Sequence, residues 1–74
     1  MDNQEKIFVQ KFGKNLKKIR ISKCLSQEML ANDANISINQ IGRIERAEIS
    51  TSLSTIYKIM IALEVKIDDL FNFD

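Results

Sequence analysis

The sequence predicts an all-α fold of five short helices around one small core. Three observations predict it. The 74 residues contain no proline and only two glycines, so little in the chain breaks a helix. Apolar residues recur three and four positions apart in successive segments, which places them on one face of a helix. No stretch shows the Val- and Thr-rich alternation of a strand. The helices are expected at residues 3–23, 27–34, 38–47, 52–63 and 67–71, to within a few residues at each end.

Helix one opens on Asp2 and Glu5, which have the spacing of a capping box. Phe8, Phe12, Leu16 and Ile19 form its buried stripe. Ile7 and Val9 fall off that stripe, so the first turns are expected to touch a partner or fray. Gly13 costs a helix about 1 kcal/mol relative to alanine, and points to a close approach of backbone. Lys11, Lys14, Lys17, Lys18 and Lys23 spread over the solvent faces.

Residues 26–46, SQEMLANDANISINQIGRIER, organise the rest. Ser26 can accept from the free N–H groups of a helix start. Met29, Leu30 and Ala34 place apolar side chains on one face of helix two. Asn35 tolerates left-handed backbone angles and can end that helix. Ser37 opens helix three, with Gln40 three residues on as its capping-box partner. Ile41 and Ile44 supply the buried side, leaving Ile38, Asn39, Gly42 and Arg43 on the other. Two short helices joined by a tight turn, the second with a polar outward start, make a helix-turn-helix.

Thr51 or Ser52 caps helix four. Leu53, Ile56, Ile59, Met60 and Leu63 form its apolar stripe, with Ala62 beside it and Tyr57 and Ile61 elsewhere. Asp68 and Asp69 suit the positive N-terminal dipole of helix five.

Length allows one domain, residues 1–74, with no linker or repeat. A chain this small buries only about 60–65% of its unfolded surface, so it needs an efficient core or a second subunit. The formal charge is +1, but it is uneven. Residues 1–37 carry seven basic and four acidic side chains, and residues 38–74 carry four and six. A basic front and an acidic back can present one side to phosphate. The single cysteine, Cys24, has no partner for an internal disulfide, and there is no histidine. No metal site, nucleophile–base pair or phosphate-cradling glycine loop is visible. An enzyme, a cofactor and a small-molecule substrate are therefore not expected. With no signal peptide and no long apolar run, a cytoplasmic protein without membrane contact is expected.

Ser26-Gln27-Glu28, Ala31, the turn and Ile41-x-x-Ile44-Glu45-Arg46 resemble the phage-repressor and Cro-like (XRE-type) helix-turn-helix family. The similarity runs from Phe12 to Phe71. Within the family, the size and the ending Leu63-Glu64-Val65-x-Ile67-Asp68-Asp69-Leu70-Phe71 are most similar to restriction–modification controller proteins and small phage-type repressors. The resemblance implies a compact five-helix, lambda-repressor-like DNA-binding domain with a central helix-turn-helix. It implies a sequence-specific, double-stranded DNA-binding transcriptional regulator.

Carried over residue by residue, the family's base-reading positions fall on Ile38, Asn39 and Arg43, with Gln40 adjacent. Arginine pairs with guanine, asparagine can pair with adenine, and isoleucine can meet a thymine methyl. Gln27 matches a position where glutamine bonds a phosphate, and Ser26 and Arg46 are the next phosphate candidates. An arginine at Arg20 pairs, in the family, with the glutamate that falls at Glu45, a structural ion pair fixing helix three to helix one. Cys24 and Ala47 stand where glycines are usual. A small buried apolar role is expected for Cys24. A left-handed alanine costs roughly 1 kcal/mol, so helix three is expected to run somewhat longer. Lys66 stands where a capping serine is usual.

One such domain reads few base pairs, so a two-fold homodimer on a palindromic operator is expected. Ile49, Tyr57, Ile61 and Phe73 exceed the needs of the core and are the candidate dimer residues. The alternative is an antitoxin or other protein-interaction module using the same fold. The acidic second half and the apolar excess suit it, but the tail Phe71-Asn72-Phe73-Asp74 leaves little room for a toxin-binding segment.

Overall fold

The computed structural model describes residues 2–73. Its elements are α1 (Asn3–Ser22), α2 (Gln27–Ala34), α3 (Ile38–Glu45), α4 (Leu53–Leu63) and α5 (Ile67–Leu70), with no strand among the described residues. The twenty residues of α1 make a rod about 30 Å long, which must lie along the long axis of a body measuring 32 × 22 × 20 Å. Helix α1 packs on α3 and α5, and α2 packs on α3 and α4. The core between them holds Phe12, Leu16, Leu30, Ala31, Ile41, Ile44, Ile59, Leu63 and Leu70.

Four helices start on a side chain that accepts from the N–H three residues on. Asp2 takes Glu5, Ser26 takes Met29, Ser37 takes Gln40 and Ser52 takes Thr55. Ser52, not Thr51, is thus the cap of α4. The box at Ser37 is only half made, because the Gln40 side chain turns to Thr55 Oγ1 at 3.4 Å instead of reaching back. At α5 the reverse half is present: Lys66 N–H donates to Asp69 Oδ2, while an ammonium head has no acceptor to offer.

The helix ends share one device. Cys24, Asn35, Ala47 and Glu64 all have left-handed backbone, with φ of 60°, 57°, 60° and 58°. Each turns the chain so that two N–H groups return to the last carbonyls. Leu25 N–H donates to the Arg20 carbonyl, Ile36 to Ala31, Glu48 to Arg43 and Val65 to Met60, each five residues back. This is the Schellman ending, made here without glycine. Two expectations are corrected by it. Cys24 is exposed rather than buried, because the left-handed turn directs it outward. Helix α3 does not run on past Arg46 to spare Ala47; packing forces the alanine into the left-handed well instead. Ala47→Gly should therefore stabilise the protein by about 1 kcal/mol, the left-handed penalty of a Cβ. A higher midpoint in urea unfolding, at unchanged slope, is the expected reading.

Three further expectations about faces are revised. Gly42 is buried, not outward. Met29 is exposed. Leu53, assigned to the buried stripe of α4, is 81% exposed and is the most open large apolar residue among those described. It begins the helix, where no neighbouring element reaches across it. Phe8 is exposed at its edge yet engaged, stacking on Phe71 at 6.1 Å and tilting against Phe73 at 5.6 Å. That aromatic cluster packs the start of α1 onto the C-terminal segment, where contact with a partner or fraying was expected.

Candidate nucleic-acid interface

The outward face of α3 is set by what its other face buries. Ile41 and Ile44 are buried against the core. Ile38, Asn39 and Arg43 are exposed. Asn39 and Arg43 lie one turn apart, so both can project from the same side. Gln40 differs from the other three candidates. It is half-buried and its amide donates to Thr55, which turns it towards α4.

Beneath this face, α3 is tied to the rest of the protein by a buried ionic network. Arg20 Nε donates to Glu45 Oε2 at 2.7 Å and Nη2 donates to Oε1 at 3.1 Å, a two-pronged pair. The third arm of the guanidinium, Nη1, donates to the carbonyl of Leu25 at 2.8 Å. Gln27 Nε2 donates to Glu45 Oε1 at 3.0 Å. Arg20 and Glu45 are only 7% and 8% exposed. One N–H of the Gln27 amide is thus occupied, leaving the second without a partner among the described residues. Neither the Leu25 carbonyl nor Gln27 was foreseen as part of this network. Leu25 lies between α1 and α2 and Gln27 is the first residue of α2, and only the packed helices bring them to Arg20 and Glu45.

Gly13 lets α1 approach the end of α3. An ideal Cβ there would stand 2.5 Å from the Ile44 carbonyl oxygen and 2.7 Å from that of Glu45. The close backbone approach read from the sequence is at the very turn that carries Glu45.

Arg46 sits just past α3. Its Nε donates to Glu48 Oε2 at 2.6 Å, and Arg43 Nε lies 3.8 Å from the other oxygen, Oε1. Bonding to Arg46 holds the Glu48 carboxyl below the usual carboxylate range and raises the Arg46 guanidinium above its ordinary value. Glu48 was missed as a site residue. The Ala47 turn brings it back over α3, and a left-handed alanine gives little sequence signal of that.

Ser26 is exposed at the start of α2, its hydroxyl accepting from Met29 N–H. Of the dimer candidates, Tyr57 and Ile61 are 62% and 56% exposed. With Leu53 they form an i, i+4, i+8 row on α4. Ile49 and Phe73 are instead half-buried in their own chain. Ile49 lines an apolar hollow with Phe8, Phe12 and Phe71, and Phe73 belongs to the aromatic cluster. No group of acidic, cysteine or histidine side chains among the described residues could hold a metal, and no described helix is long and apolar enough to cross a membrane.

Residues 16–70 match the model of the helix-turn-helix family. The chain is 41% identical over 63 residues to the control protein C.BamHI of Bacillus amyloliquefaciens, an alignment covering 84% of this chain and 78% of that one. Its fold is similar to the crystal structure of the restriction–modification controller protein C.AhdI of Aeromonas hydrophila, with a TM-score of 0.83 and 36% identity over 85% of this chain and 96% of that one. It is also similar to the wild-type restriction–modification controller protein C.Esp1396I, with a TM-score of 0.80 and 33% identity over 86% of this chain and 83% of that one. These relatives are controller proteins rather than enzymes. With the family's model matched over most of its length and some 85% of its fold superposing on such structures, the chain belongs to the XRE-type helix-turn-helix family of DNA-binding transcription regulators and stands close to the restriction–modification controller proteins.

Proposed function

We propose that this protein binds a palindromic operator as a two-fold dimer, with α3 in the major groove, and regulates transcription in the cytoplasm. The observation that carries the reading is the two-sidedness of α3: Ile41 and Ile44 buried, Ile38, Asn39 and Arg43 exposed. A helix anchored this way has the geometry of a recognition helix, whose N-terminal residues meet base edges. Arg43 has the forked donors for a guanine edge, Asn39 suits adenine and Ile38 a thymine methyl. Gln40, held by Thr55, takes a lesser part. Gln27, oriented by Glu45, offers its remaining N–H to a phosphate, with Ser26, Arg46 and the first N–H groups of α2 and α3 beside it. The exposed row Leu53, Tyr57 and Ile61 supports a dimer through α4. The relatives' role, control in restriction–modification, is the one we propose for this chain, and a methylase or endonuclease gene beside its own would support that.

Selection of bound duplexes from a random pool tests the reading. Two inverted half-sites about one helical turn apart are expected. A single unrepeated motif would deny the two-fold dimer, and no enrichment would favour the protein-interaction module. In the same selection, Arg43→Ala should lose preference at one base-pair position per half-site, at a cost of about 1–3 kcal/mol each. If it instead weakens all duplexes alike, Arg43 touches only phosphate.

A further inference from the structure

The two arginines closest to the proposed DNA face share one acidic partner in the free protein. The Glu48 carboxylate accepts from Arg46 Nε with one oxygen and faces Arg43 Nε with the other. Its position is fixed by backbone, not by its own side chain. Ala47 is left-handed, and Glu48 N–H donates to the Arg43 carbonyl at 2.8 Å, so the residue is folded back over the last turn of α3. The Arg46 guanidinium is folded back as well. It lies against Gly42, where an added Cβ would come within 2.8 Å of Nη1. All three charged side chains are about half-exposed, so DNA can reach them.

We propose that Glu48 is an internal competitor that holds Arg43 and Arg46 in the free protein and tempers the affinity of the matched complex, because a matched duplex must displace it. This rests on the DNA-binding reading above. The exchange differs between the two kinds of duplex. On random DNA, each arginine would leave one carboxylate for one phosphate, a near-even trade in solvent, and the Glu48 charge would face the phosphates. The clamp then stays closed and neither arginine adds to binding. On a matched site, a guanine edge offers Arg43 two acceptors in fixed geometry, and the displaced carboxylate swings to solvent. A matched duplex thus bears the full cost of opening the clamp. A random duplex loses only what the arginines would have gained from phosphate, which is less, so Glu48 lowers matched affinity at least as much as random affinity.

The experiment measures the affinity of the full chain for a selected duplex and for a random duplex over a range of salt. It compares wild type, Glu48→Gln and Glu64→Gln. Glu64→Gln removes the same charge from a residue that forms no ion pair among the described residues. Glu48→Gln keeps the backbone bond to Arg43, so its fold is not at risk. Its selected-duplex affinity should rise about tenfold, because the cost of opening the clamp disappears in both subunits. Its random-duplex affinity should rise by about threefold or less, with the log–log salt slope there steeper by about one to two per subunit as freed arginines release counterions. Glu64→Gln should stay near wild type on both duplexes. No gain on the selected duplex, a larger gain on the random one, an unchanged slope on the random one, or the same effect from Glu64→Gln would overturn the clamp while leaving the DNA reading intact. A wild type that binds no duplex, or binds all alike, would overturn the DNA reading and the clamp with it.

Discussion

Arg20→Ala and Glu45→Ala are each expected to destabilise the protein by about 3–5 kcal/mol, because each leaves the opposite charge buried without its partner. The geometry sharpens this. Glu45 holds three donated hydrogen bonds, two from Arg20 and one from Gln27, and loses two of them in Arg20→Ala. Arg20 also bonds the Leu25 carbonyl at the turn into α2, so removing it frees an acceptor that Glu45→Ala leaves satisfied. Replacing both with apolar residues should recover much of the loss, since the pair's own attraction is largely offset by the desolvation of two charges. Recovery should be incomplete, because the Leu25 carbonyl and one Gln27 N–H stay unmatched. Urea unfolding of the two singles and the double measures this. Costs in the double that equal the sum of the singles would mean no coupling between the two side chains. The destabilised singles should also bind DNA less well at temperatures where they remain folded, because Glu45 positions Gln27.

Gly13→Ala should destabilise by about 2 kcal/mol, although the same change in an open helix stabilises by about 1 kcal/mol. The added methyl would meet two backbone carbonyl oxygens, at 2.5 and 2.7 Å. Neither can swing aside, since both belong to the last turn of α3. Relief requires α1 and α3 to move apart, which stretches the Arg20–Glu45 bonds about two turns further along α1. Gly42→Ala is the comparison: its methyl would meet only the mobile end of Arg46, so stability should be near or above wild type. If Gly13→Ala proves neutral, the two helices are less closely docked than these distances say.

The helix starts were legible because each is a local affair. Asp2, Ser26 and Ser37 reach an N–H only three residues away, and the sequence identifies them as caps, while it leaves Thr51 or Ser52 open for α4. The buried stripes of α1 and α3 were legible because Phe12, Leu16, Ile41 and Ile44 repeat at helical spacing. The helix ends were harder. Asn35 announced its left-handed turn, since asparagine tolerates it, whereas Cys24, Ala47 and Glu64 adopt the same backbone without a preference for it. Their conformation is imposed by the docking of the next segment.

By itself the sequence determined the helices, the turn between α2 and α3, and the family, because capping and periodicity act over three to four residues. Only the tertiary structure decided which apolar side chains stay exposed. Leu53 shares the spacing of Ile56 and Leu63 but has nothing packed across it, while Ile49 and Phe73 are drawn into their own chain. It also decided the company of each charge. Gln27 joins Arg20 and Glu45 across eighteen residues of chain, and Glu48 lies beside Arg43 and Arg46 because Ala47 turns the backbone. Such contacts depend on distance in space, and no periodicity in the chain encodes them.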